Sequence, residues 1–85
     1  MDLDDAYVAL AGEPEDAVQR FLSTVPNEKR SAFAVRARVK LNDAKKGIHG
    51  AALAQRATDA HAYRHRDLER LEELLREATR AWGVP

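Results

Sequence analysis

Between Gly50 and Gly83 the chain contains neither proline nor glycine, and within that stretch Leu68, Leu71, Leu75, Ala78 and Trp82 recur at intervals of 3, 4, 3 and 4. No other feature constrains the fold as strongly. This spacing puts the five side chains on one narrow stripe of an α-helix, the seam of paired helices. Leu74 widens the stripe, and the same face runs backward through Arg64, Ala60, Ala57 and Leu53. A helix over 51–82 would have about 32 residues and extend about 48 Å. That is long for an 85-residue chain. It must either break near Arg64, with Asp67 capping a final segment, or project and pair with another chain.

Upstream, Leu3, Ala6, Tyr7 and Leu10 share a helical face. Asp2 is placed to cap this first helix, and Gly12 to close it in the left-handed conformation. Pro14 suits the first turn of a second helix, where Glu13, Glu15 and Asp16 complement the positive end of the dipole. Ala17, Val18, Phe21, Leu22 and Val25 form its apolar stripe, and Pro26 stops it.

The third segment carries two periods at once. Phe33, Val35, Ala37, Val39 and Leu41 alternate with Ala34, Arg36, Arg38 and Lys40, which reads as a half-buried strand over 33–41 with a basic outer face. At helical period, Phe33, Ala37, Leu41, Ala44 and Ile48 make one face, and Ala32, Val35 and Val39 an opposite one. Such a helix would be buried on two sides. Asn27 as a cap, the cations Lys45 and Lys46 before Gly47, and the surrounding alanines favour helix. Gly47 and Gly50 then read as the hinge to the last helix.

The fold expectation is a small all-α domain over residues 1–85. Its four helices lie at about 2–11, 14–24, 27–46 and 51–82, the last with a kink near Arg64 as the alternative to a straight rod. The core is thin: 16 of the 38 apolar residues are alanine, so burial against a partner is expected to matter. Zero cysteines exclude a disulfide scaffold, a zinc ribbon and a thiol nucleophile. No apolar run approaches the roughly 18 residues of a membrane span, and no signal peptide opens the chain. A cytoplasmic protein that does not engage a membrane is expected.

The net charge of zero is a sum of unequal blocks. Residues 1–28 carry seven acids against Arg20; residues 29–46 carry seven cations against Asp43; residues 47–85 balance six arginines with six acids. An acidic arm, a basic helix and a mixed-charge helix are joined end to end. The opposite blocks dock on one another or meet different partners.

Two uses of the basic block follow. Lys29, Arg30, Arg36, Arg38, Lys40, Lys45 and Lys46 could neutralise several phosphates in a salt-sensitive contact with nucleic acid. As a helix after the turn at Val25–Asn27, the segment resembles the layout of a helix-turn-helix. As a strand followed by two helices, residues 33–82 are similar to the ribbon-helix-helix architecture of small dimeric repressors. Either resemblance implies a small DNA-binding regulator. Against both, the cations scatter around a helix axis and no aromatic stacking platform accompanies them. Internal pairing with the acidic arm accounts for the same charges.

Catalytic chemistry has little support. Ser23, Thr24, Ser31, Thr58 and Thr79 lack a glycine-flanked elbow, and no phosphate-binding glycine loop is present. His61 and His65 are four apart and could share a metal ion on a helix, but Ala62 stands where the general base of H-E-x-x-H would be. No cofactor and no small-molecule substrate are expected. The favoured reading is a non-catalytic protein-binding or regulatory module, acting as a dimer or as a subunit of a larger assembly. Its interface is expected on Leu68, Leu71, Leu74, Leu75 and Trp82, with Trp82 as anchor.

Overall fold

The computed structural model describes residues 2–54 and 64–85, with side chains over 2–47 and 64–85. Among the described residues the chain is all-α: α1 (Leu3–Val8), α2 (Glu15–Ser23), a 3-10 turn (Asn27–Lys29), α3 (Arg30–Ala54) and α4 (His65–Trp82). Central to the packing is α3, with α1 and α4 against it and α2 chiefly on α4.

The first helix is shorter than its apolar spacing predicts. It ends at Val8, and two backbone bonds (Leu10 N–H to Tyr7 O, Ala11 N–H to Val8 O) carry the chain through a turn to Gly12. Gly12 is left-handed as expected, at φ +89°, but it does not close the helix, whose cap is Ala9 in right-handed conformation. Asp2 stands at the cap position in extended conformation but makes no capping hydrogen bond. In α2, Pro14 occupies the cap position itself, and Glu15 and Asp16 fill the first turn.

α3 settles the ambiguity of the third segment against the strand over 33–41, and with it the ribbon-helix-helix resemblance. Residues two apart on a helix point roughly 200° apart. Two apolar faces on one helix therefore mimic strand alternation. Phe33, Ala34, Ala37 and Leu41 turn into the core, whereas Val35 and Val39 turn out. The expected stop at Gly47 also fails. α3 continues through Gly47 and Gly50 to Ala54, and neither glycine has positive φ. Propagating an existing helix past a glycine costs only about 1 kcal/mol, a cost the neighbouring alanines offset.

A straight helix over 51–82 does not form. Positions 55–63 lie outside the described residues. Arg64 is extended (φ −87°, ψ 143°), and α4 starts at His65. The reversal lets α4 lie along α3 instead of continuing it. Asp67 sits in the first turn of α4, not at its cap. Gly83, at φ +76°, closes α4 in the left-handed conformation, with Gly83 N–H and Val84 N–H both donating to Thr79 O.

The core gathers Tyr7 and Val8 from α1, Val18 and Leu22 from α2, Val25, the inner face of α3, and Leu68, Leu71, Leu74 and Leu75 from α4. Four aromatic rings join it in tilted and T-shaped contacts. Tyr7 meets Phe33 at 5.6 Å and Phe21 at 5.9 Å, while Phe33 meets Phe21 and Trp82, each at 6.2 Å. The buried Tyr7 hydroxyl donates to Leu71 O at 2.6 Å, tying α1 to α4. Ala34 and Ala37, both fully buried, permit close approach where larger side chains would hold the helices apart.

Candidate functional site

The leucine stripe of α4 is spent on this core. Leu68, Leu71, Leu74 and Leu75 are all buried within the single chain, so they offer no free docking face. Packing of α4 on α3 turns them into the core. Trp82 is half-buried, packed on Phe33 with the Arg30 guanidinium 4.7 Å from its ring centroid. What remains reachable of the stripe is a groove of about 280 Å³ between α2 and α4, lined by Leu22, Leu74, Ala78 and Trp82 with Gln19, Ser23 and Glu77.

The basic block is partly consumed as well. Lys40 donates to Asp5 at 2.7 Å and lies 3.9 Å from the buried Asp4. The hydrogen bond from Lys40 to Asp5, then the charge of Asp5, raises the Lys40 pKa above its ordinary value. Lys45 pairs with Glu72. Arg30 donates from Nε to Val25 O besides stacking on Trp82. Arg38 donates to Pro85 O at 3.0 Å and reaches Thr79 Oγ1 at 3.4 Å. Lys29, Arg36 and Lys46 are exposed and have no ion pair among the described residues.

The acidic arm thus meets the basic block at Lys40, and its Glu15 pairs with Arg70 of α4 at 2.7 Å. Asp2, Asp4 and Asp5 hold carboxylate oxygens within 4.8 Å of one another. The Lys40 ammonium already answers that cluster. His65 Nδ1 lies 3.1 Å from Glu69 Oε1. Its expected metal-binding partner His61 lies outside the described residues.

The surface left open is the outer face of α3. Val35 and Val39 are 54% and 53% exposed, the large hydrophobic side chains most open to solvent among the described residues. They sit one helical turn apart, opposite Phe33, Ala37 and Leu41. Ala32, also exposed, extends the stripe. This is the second face that helical spacing predicts to be buried. Its apolar residues are where the pattern puts them, but no element among the described residues covers them.

Three members of that face escape a search for apolar residues alone. Stepping outward at heptad spacing from Ala32, Val35 and Val39 reaches Glu28 on one side, and Asn42 and Lys46 on the other. All three are exposed, and Glu28 and Lys46 have no ion pair among the described residues. Continuing the same interval through polar positions is the signal that finds them.

Among the described residues no helix is long and apolar enough to cross a membrane. The chain matches no protein-family model, no curated protein and no solved structure.

Proposed function

We propose that the chain is a non-catalytic protein-binding module that docks a helical partner on the outer face of α3. One observation carries this: an apolar stripe at helical spacing, Ala32–Val35–Val39, is open to solvent on a helix whose opposite face is core. Chains with a thin core gain more from covering such a stripe than from leaving it wet. The flanking charges set partner choice and orientation more than strength.

Nucleic acid is the weaker reading. Four of the seven cations in the basic block are engaged within the chain, and Glu28 and Asp43 share the outer face with the remaining three. A phosphate backbone would meet mixed charge there.

A photo-reactive amino acid placed at position 39, compared with one at the exposed position 76, tests the proposal in the native host. Protein adducts at 39 and none at 76 are expected. Equal labelling at both positions, or none at 39, would contradict it. Duplex DNA binding that falls steeply with salt and weakens in Arg36→Ala would favour the nucleic-acid reading instead.

A further inference from the structure

Resting on the docking reading above, we infer that the occupant of the outer face of α3 is a second copy of the same chain, packed antiparallel. The seam Glu28, Ala32, Val35, Val39, Asn42 and Lys46 runs at intervals of 4, 3, 4, 3 and 4, and every member is exposed. Glu28 stands in the 3-10 turn that leads directly into α3. The sequence of chemistries is self-complementary about the middle of the seam: acid and base at the two ends, small and polar next, valines at the centre.

Antiparallel pairing about that midpoint sets each Val35 against Val39 of the second copy and each Ala32 against Asn42. Each Glu28 then faces Lys46 of the second copy. Parallel pairing would instead set Glu28 against Glu28 and Lys46 against Lys46, with like charges at both ends. One turn to the side, antiparallel packing also brings exposed Lys29 toward Asp43 of the second copy. Charge selects the orientation, and the valines supply the apolar contact.

The contact is small. One helix face falls short of the roughly 800 Å² per partner of a standard interface, and the two Arg36 side chains approach each other near the axis. The dimer is therefore weak and reversible, with a dissociation constant on the order of 100 µM.

Sedimentation equilibrium of the full chain, from about 10 µM to about 1 mM, spans that range. A reversible monomer–dimer equilibrium is expected. Val35→Glu with Val39→Glu, which keeps good helix formers on the helix, should leave a monomer at every concentration with an unchanged thermal melt. Glu28→Lys should weaken the dimer by about tenfold, and Glu28→Lys with Lys46→Glu should recover the wild-type constant to within about twofold. The charge swap leaves the valines untouched, so it remains decisive if the double glutamate variant folds poorly. A wild-type monomer throughout, a dimer indifferent to the valine changes, or a double swap no tighter than the single would overturn the second-copy assignment. If the purified chain is monomeric yet position 39 cross-links to a different protein, the docking face stands and only its occupant changes.

Discussion

At the scale of single residues, Tyr7 and Lys40 fasten α1 to the rest of the molecule, and both do so through a proton. Burial pushes the Tyr7 phenol well above its ordinary value, and the protonated hydroxyl makes the bond to Leu71 O. The hydrogen bond to Asp5 raises Lys40 in the same direction. The sign is the same for both groups. Below about pH 10, folded and unfolded chains hold these protons alike. Above it the unfolded chain loses protons that the folded chain keeps, so stability falls as pH rises.

Melting temperature is therefore expected to be insensitive to these two groups from pH 7 to 9 and to drop above about pH 10. Tyr7→Phe should cost about 1 kcal/mol at neutral pH and make the alkaline decline shallower. Thermal melts of the two proteins across pH measure both effects. An equal alkaline slope in the variant would mean that Tyr7 does not carry it. Neither the partner of Tyr7 nor that of Lys40 is legible in the sequence. They lie 64 and 35 positions away, brought together only by helix packing.

At the scale of elements, helix type was readable and helix length was not. Apolar spacing identifies the faces of α2 and α4 because each packs along one stripe. It misjudges α1, which ends at Val8 once the turn to Gly12 supplies its last hydrogen bonds. It misjudges α3 more instructively. Lys45-Lys46-Gly47-Ile48 has the composition of a helix end, yet Lys45 pairs with Glu72 of α4 and the helix continues. A glycine signals a stop where the backbone turns left-handed, as Gly83 does at the end of α4. Gly47→Ala should therefore stabilise the fold by about 0.5–1 kcal/mol in denaturant unfolding. A loss of stability would indicate that the helix ends there after all.

The candidate site follows the same logic. The Leu68–Trp82 stripe looks like an interface while α4 is imagined as a projecting rod, and is core in a helix that packs on α3. The two-faced pattern of α3 was visible from the start. What the sequence could not reveal was which face the small bundle would be able to cover. With α1 and α4 both drawn to the Phe33–Ala37–Leu41 side, none of the described helices is left to cover Val35 and Val39.

At the scale of the whole molecule, the balanced charge is partly internal and partly displayed. Lys40 and Lys45 are neutralised by acids of other helices, and Arg70 by Glu15. Such surface pairs contribute little stability individually and mainly fix how the helices are arranged. Among the displayed charges, Glu28 just before α3 and Lys46 on it bracket the exposed valines. A thin core inside and an apolar seam outside fit the proposed pairing of α3 with a second copy.

Methyl NMR of the full chain on dilution from about 1 mM to about 10 µM tests this most directly. The Val35 and Val39 methyl resonances should move with concentration, while those of Val18 and Val25 in the core stay fixed. Resonances of Val35 and Val39 that do not move, or movement confined to Leu74 and the Trp82 groove, would contradict the assignment of α3 as the face that meets a second copy.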